Sequence, residues 1–286
     1  MPELPEVETM CRGIRPIVGG RIVDVRRPKS RLQPITYRPS FRRLVSRLTG
    51  RRVEGIERLG KRVVLIIEGE LRLVIEPRMT GRVMLDPAES FSHVRLELTV
   101  ERDRGETHRV VFRDVRGLGV VSLLSAEAVS RELGPSKLGP DALAISAEEL
   151  RRRLGARRSA VKTALLDQKA LAGVGNIYAS ESLHRAKIHP ATPCCRLKPA
   201  QWKRLHEALL VVLKRAIALQ GSTLGDGAYA TPDNEAGRFQ REFLVYGRAG
   251  ERCLQCRRGK IRRMVQAQRS TFFCPVCQRL PQQGDR

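Results

Sequence analysis

The chain has 286 residues, enough for two or three domains with a substantial core. Its 54 Lys and Arg against 30 Asp and Glu leave a formal net charge of +24, far beyond what solubility alone requires and suited to a polyanionic partner. No apolar run approaches the roughly 20 residues of a membrane span, and the acidic start does not read as a secretory leader. Seven cysteines suit no simple disulfide framework, so the expected setting is a reducing cytoplasm without a membrane partner.

The first residues, Met1-Pro2-Glu3-Leu4-Pro5-Glu6-Val7-Glu8, form an acidic island in a basic protein. Removal of Met1 would leave Pro2 as a free secondary amine. An α-amino group has a pKa of about 7.7–8, well below the value of about 10.4 for lysine, so a useful fraction is uncharged and nucleophilic at neutral pH. Such an amine suits attack on an electrophilic carbon with formation of an iminium, and Glu3 beside it suits proton transfer. The same residues also fit the plain start of a helix, with Pro in the first turn and carboxylates near the positive end of the dipole.

Val7, Met10, Ile14, Ile17 and Val18 recur at helical spacing up to Gly19-Gly20, and residues 21–27 alternate as a strand. Phe41, Leu44, Val45 and Leu48 predict a short helix closed by Gly50. Strand patterns follow at 52–58, 63–68, 71–76, 82–85, 94–100, 109–113 and 119–124, separated by turns. Short strands in series predict an antiparallel sandwich or barrel. Residues 133–143, with two Gly-Pro steps, read as a linker. Ser146-Ala147-Glu148-Glu149 is a capping box, and helices follow to about 220. The longest covers 199–219, with Trp202, Leu205, Leu209, Val212, Leu213 and Ile217 as a core-facing stripe. Residues 221–237 are polar and glycine-bearing and are the candidate mobile loop. The expected fold class is α+β, with domains at 1–132, 133–237 and 238–286.

Two Cys-x-x-Cys pairs, Cys253/Cys256 and Cys274/Cys277, are separated by 17 residues, a length that admits a hairpin. The spacing predicts one closed, tetrahedral, structural Zn2+ site. Cys11, Cys194 and Cys195 lack such partners and read as ordinary thiols. The segment between the pairs carries Arg257, Arg258, Lys260, Arg262, Arg263 and Arg269, a charge density suited to phosphate. Upstream, Gly173-Val174-Gly175-Asn176 opens a helix. A glycine-lined helix start is an anion site, and Asn176 serves that site, caps the helix, or does both.

PELPEVET at the start, LAGVGNIYASE in the middle, and VYGR followed by the two cysteine pairs enclosing QAQRSTFFC together resemble bacterial formamidopyrimidine-DNA glycosylase, of the Fpg/Nei family. The resemblance covers essentially the whole chain in order. It implies an N-terminal β-sandwich, a helix–two-turns–helix domain and a C-terminal zinc-finger β-hairpin. It also implies a monomeric, nucleoid-associated repair enzyme acting on double-stranded DNA that contains oxidised purines or abasic sites. The implied chemistry is base removal and strand cleavage by β,δ-elimination through a Schiff base at Pro2, with Glu3 as acid/base and Glu6 orienting the site.

By the same resemblance, Lys61 binds phosphate beside the lesion and assists elimination. Asn176 and Arg269 clamp the backbone, with Arg269 also a proton donor in the second elimination, and Arg157 is a further contact. Met79, Arg116 and Leu118 occupy the places of the wedge that fills the gap left by a flipped base. The chain departs from the family at Glu76, where relatives have His and where Arg78 or Arg82 is the expected partner. It departs again at Leu118, where an aromatic wedge residue is usual, and at Phe91, where a DNA-contacting His is usual; His93 nearby is kept. A branch similar to endonuclease VIII, directed at oxidised pyrimidines, and a non-catalytic DNA-binding protein on the same scaffold are the competing readings.

Overall fold

Short, largely apolar strands build the described part of the first 125 residues into a two-sheet structure, with two helices packed against its core. The computed structural model describes residues 1–28, 35–88, 92–224 and 229–280. Contacts divide the chain into two units: 1–134 with 216–240, and 135–215 with 241–286.

In the first unit, α1 (Leu4–Gly13) is followed by β1 (Arg21–Arg26), β2 (Thr36–Arg38), α2 (Phe41–Leu48), β3 (Val53–Leu59), β4 (Arg62–Ile67), β5 (Leu71–Glu76), β6 (Gly81–Leu85), β7 (Val94–Glu101), β8 (Thr107–Asp114), β9 (Val120–Ser125) and α3 (Ala126–Leu133). The strands form a four-stranded sheet in the order β1-β7-β8-β6 and a five-stranded sheet in the order β2-β9-β5-β4-β3. All pairings are antiparallel except β2 with β9, which is parallel. Val63, Leu65, Ile67, Leu73, Ile75, Val83, Leu96, Leu98, Val110, Phe112 and Val121 from both sheets form one core with Val7 and Met10 of α1 and Ile14 just after it. The first helix is shorter than its apolar spacing predicts. It ends at Gly13 and gives way to a 3-10 turn over Arg15–Ile17, because Pro16 cannot continue the ladder.

The second unit contains α4 (Ala147–Leu154), α5 (Val161–Leu165), α6 (Asn176–Arg185), most of α7 (Pro199–Ala218), and the hairpin β10 (Arg262–Gln266) and β11 (Arg269–Phe273). Ser146 accepts the Glu149 N–H at 3.1 Å, as its capping box predicts. Trp202, Leu205, Leu209 and Leu213 of α7 are buried, as a core stripe should be. The hairpin turns at Ala267 and Gln268, both in the left-handed region at φ 46° and 59°, which matches the twist of a two-residue connection. Among the described residues no helix is long and apolar enough to cross a membrane.

Candidate active site and metal centre

The acidic island is built, not frayed. Pro2, Glu3 and Glu6 are buried, while Met1 is exposed. Glu3 is the N-cap of α1, and its N–H donates to Glu6 Oε2 at 2.8 Å in a capping box. The other oxygen of Glu6 accepts the Ser222 N–H at 2.8 Å. Glu6 thus ties the chain start to the segment after α7. Gly221 is required there twice over. Its φ is +79°, and a Cβ would lie 2.8 Å from Glu6 Oε1.

The candidate mobile loop is pinned on both sides of residues 225–228, which lie outside the described residues. Thr223 Oγ1 donates to the Tyr229 carbonyl at 2.9 Å and accepts the Gly237 N–H at 2.9 Å. Tyr229 is buried, and its hydroxyl donates to the Gln220 carbonyl at 3.0 Å. Burial, with the Glu6 charge nearby, pushes that phenol far up, so it stays protonated.

The helix is docked on β3 by two contacts. Cys11 Sγ donates to the Glu57 carbonyl at 3.4 Å, and Glu8 bonds Arg58 Nε at 3.0 Å. Burial disfavours the Glu8 carboxylate, but hydrogen bonds and charge from Arg12 and Arg58 outweigh it and hold its pKa below the ordinary value. Burial pushes the Cys11 thiol up to about 12 and Cys194 to about 11, so both are inert thiols, as their lack of partners predicts. Lys61 lies half-buried in the β3–β4 turn, after Gly60 at φ 59°.

Met79 and Leu118 are 38% and 46% exposed, and Arg116 is exposed with them. Their two loops are bolted together by Asp114, a buried residue that sequence reasoning missed. Asp114 Oδ1 accepts from Thr80 Oγ1 at 2.6 Å and Oδ2 accepts the Gly119 N–H at 2.7 Å. Thr80 Oγ1 in turn accepts the Arg116 N–H at 3.0 Å. The Asp114 N–H donates to the His93 carbonyl at 3.0 Å, which brings His93 to the same place. The only hint in the sequence is an Asp ending a strand before Gly117 and Gly119, where a carboxylate can hold a turn. Glu76 pairs with Arg78, as expected, at 3.3 Å; its second partner is Arg62 at 3.3 Å, not Arg82. Phe91 lies outside the described residues.

In the second unit, Gln168 closes the turn before α6. Its Nε2 donates to the carbonyls of Leu166 (3.0 Å) and Val174 (2.9 Å), and its Oε1 accepts the Gly173 N–H at 3.0 Å. The N-cap of α6 is Gly175, and Asn176 does not cap. Its Nδ2 donates instead to the Ser270 carbonyl at 2.9 Å, which joins the helix start to the hairpin beside the exposed Arg269. Arg157 is bonded to Asp167 at 2.8 Å and remains partly exposed. Glu181, one turn further along α6, went unread in the sequence. It is buried and accepts the N–H groups of Leu244, Val245 and Tyr246 at 2.9, 3.0 and 2.8 Å, fastening the entry to the cysteine hairpin.

The four sulfurs of Cys253, Cys256, Cys274 and Cys277 lie within 4.8 Å of one another. Cys253 and Cys277 are 3.9 Å apart, Cys256 and Cys274 3.7 Å. A tetrahedral ion with metal–sulfur bonds of about 2.3 Å sets its ligands about 3.8 Å apart, so the set fits. Backbone N–H groups of Gly259 and Arg258 draw Cys256 down to about 6. Burial and the neighbouring sulfurs push Cys274 and Cys277 up, so their thiolates would form at this spacing only beside a cation. His184 Nε2 lies 3.5 Å from Cys253 Sγ, and burial, helped by the Arg248 charge, lowers its pKa to about 4 and keeps it neutral.

Three family models match in order: the formamidopyrimidine-DNA glycosylase N-terminal domain over residues 1–121, the formamidopyrimidine-DNA glycosylase H2TH domain over 138–227, and a zinc finger found in FPG and IleRS over 250–280. The chain is 40% identical to the formamidopyrimidine-DNA glycosylase of Chloroflexus aurantiacus over 100% of both chains. It is 42% identical to that of Rhodospirillum rubrum over 98% of this chain and 100% of the other. Among solved structures it resembles the Lactococcus lactis FPG complex with a FAPY-dG containing DNA, at a TM-score of 0.83 and 33% identity, covering 97% of this chain and 100% of the other. The wild-type Lactococcus lactis FPG complex with an oxidised-pyrimidine containing DNA matches equally, at a TM-score of 0.83, 33% identity and the same coverage. With its buried Pro-Glu start, its helix–hairpin junction and its four-cysteine centre, the chain belongs to the formamidopyrimidine-DNA glycosylase family and is a DNA glycosylase for oxidised bases.

Proposed function

We propose that the chain is a bifunctional glycosylase and abasic-site lyase directed chiefly at 8-oxoguanine and ring-opened formamidopyrimidines. The observation that carries the reading is the buried, hydrogen-bonded start: Pro2 and Glu3 held at the N-terminus of α1 by Glu6. Once Met1 is removed, the Pro2 amine attacks C1′ of the lesion nucleotide and the glycosidic bond pair leaves with the base. Glu3 moves the protons of that exchange and of sugar-ring opening. The resulting iminium acidifies the C2′ proton. Its loss expels the 3′ phosphate, a second elimination expels the 5′ phosphate, and the product is a one-nucleoside gap with phosphate at both ends. Glu6 acts as a positioning residue, because both of its oxygens are occupied by backbone N–H groups.

Lys61 binds the phosphate beside the lesion and assists elimination. Met79, Arg116, Leu118 and His93 meet the opened duplex, Asn176, Arg157 and Arg269 its backbone, and Arg269 also donates a proton in the second elimination. The four cysteines hold one Zn2+, which supplies the covalent frame for the hairpin and no step of the chemistry. The enzyme works as a monomer on chromosomal DNA in the cytoplasm.

The test is borohydride trapping on duplexes carrying 8-oxoguanine, a formamidopyrimidine, an oxidised pyrimidine or an abasic site, with Met1 removal verified by mass. A covalent adduct with the purine lesions and the abasic site is expected, and none when the N-terminus is chemically blocked. Adduct formation with a blocked terminus would exclude the amine. Binding without any adduct would favour a non-catalytic protein, and adduct with the oxidised pyrimidine alone the other branch.

A further inference from the structure

Glu76 stands at the end of β5, flanked by β9, where it pairs with Val120, and by β4, which begins at Arg62. A carboxylate at the edge of a surface that meets DNA is a repulsive charge by itself. Here it is occupied twice: Arg62 Nε lies 3.3 Å from Oε1, and an Arg78 terminal nitrogen 3.3 Å from Oε2. Glu76 and Arg62 are mostly covered, at 19% and 22% exposure, whereas Arg78 is 53% exposed. The turn that carries Arg78 is closed by the Gly81 N–H bonding the Pro77 carbonyl at 2.9 Å. Within it Arg78 adopts φ +54°, a left-handed conformation that glycine takes without strain and a residue with a Cβ does not. A strained backbone persists where the surroundings use the side chain that causes it. The next residue is Met79, and Lys61 precedes Arg62.

Resting on the DNA-repair reading of the same surface, we propose that Glu76 is a positioning residue that holds Arg62 and Arg78 as a paired guanidinium clamp for one DNA phosphate beside Met79. Arg62 Nε makes no hydrogen bond to the carboxylate and is held beside it by charge; a guanidinium held so keeps its N–H donors for phosphate oxygens and loses less rotamer freedom on binding. Two cations on one carboxylate keep the local charge positive, so Glu76 directs the clamp and does not oppose the duplex.

The probe is a duplex carrying a tetrahydrofuran abasic-site analogue, with affinity measured across salt concentrations. Arg78→Gly relieves the turn, so the variant keeps its fold. It is expected to weaken binding roughly three- to tenfold and to lower the slope of log K against log salt by about 0.9, the signature of one lost phosphate contact. Glu76→Gln is the second arm. With Arg78 present it is expected to weaken binding, although it removes a negative charge. In the Arg78→Gly background it is expected to tighten binding, because the carboxylate then has less to position. Equal tightening by Glu76→Gln in both backgrounds would show a merely repulsive charge and overturn the inference, as would an unchanged salt slope in Arg78→Gly. A wild-type chain that binds no such duplex at any salt would overturn the DNA-repair reading as well, which separates the two failures.

Discussion

The chain start and the cysteine hairpin are both small, precise constructions, yet they are held by different means. At the start, one carboxylate, Glu6, accepts two backbone N–H groups that stand 219 positions apart in the chain, at Glu3 and Ser222. At the hairpin, four sulfurs lie within 4.8 Å of one another at a spacing that fits one cation, and the surrounding core is only a handful of residues such as Val245, Ile261 and Phe272. The first is an internal hydrogen-bond network inside a two-sheet core. The second is a segment too small to bury much apolar surface, the kind of fold to which a bound ion contributes most. The difference teaches where each is vulnerable: the start to the loss of an acceptor, the hairpin to the loss of metal.

The largest effect is expected from metal removal. Structural zinc sites contribute on the order of 10 kcal/mol of apparent binding energy to the fold. Cys274→Ser or a strong chelator should therefore unfold the region around 250–278 and sharply weaken DNA binding. Hydrogen exchange should show the amides of Glu3 and Ser222 still protected; their simultaneous loss would mean that the two constructions are not independent. Metal analysis of the intact protein should give near one zinc per chain.

Next is Glu6→Gln, which replaces one acceptor oxygen with an NH2 group facing an N–H donor. An unpaired buried donor costs about 1–3 kcal/mol, so chemical denaturation should show a loss in that range, with slower adduct trapping at unchanged zinc content. An unchanged stability would mean that the Glu6 contacts carry no net energy.

His184→Phe probes the hairpin without touching a ligand. With its proton on Nε2, His184 donates to Cys253 Sγ at 3.5 Å. Removing an outer partner of a metal ligand typically lowers metal affinity 10- to 100-fold, so zinc should be lost at a lower chelator concentration while the protein remains folded with zinc in excess. An unchanged chelator midpoint would deny His184 that part.

The smallest effect belongs to the docking of α1. Glu8 has a folded-state pKa held below the ordinary value near 4.5. Its contribution is therefore complete above that value and is lost as pH falls through the lower, folded-state value. Glu8→Gln should lower stability at neutral pH by roughly 1 kcal/mol and flatten the acid limb below about pH 4.5. A variant whose acid limb matched the parent's would place the acid sensitivity elsewhere.

Much of this architecture is legible in the sequence because it is periodic or local. Short apolar runs bounded by turns mark β4, β5 and β8, helical spacing marks the Trp202–Leu213 stripe, and the two Cys-x-x-Cys pairs define a four-sulfur centre from spacing alone. The failures are equally specific. Apolar spacing carried the first helix past Pro16, because periodicity does not register a missing N–H. Asn176 was open between cap and anion site, and it proved to bond Ser270, on a strand that no local pattern links to it. Asp114, Glu181 and Arg62 passed unread because their partners are backbone groups or charges brought near only by folding.

By itself the sequence determined the order of elements, the cysteine centre, the basic character and, through motifs spread along the whole chain, the family. These depend on residue type and spacing, which are written in one dimension. Tertiary structure decided which carboxylates are tools and which are fasteners. Glu3 has its backbone in the cap, Glu6 is consumed by two amides, Glu76 grips two arginines and Glu181 holds the road to the hairpin. A carboxylate's work is set by the donors that face it, and those donors arrive from distant parts of the chain only when it folds.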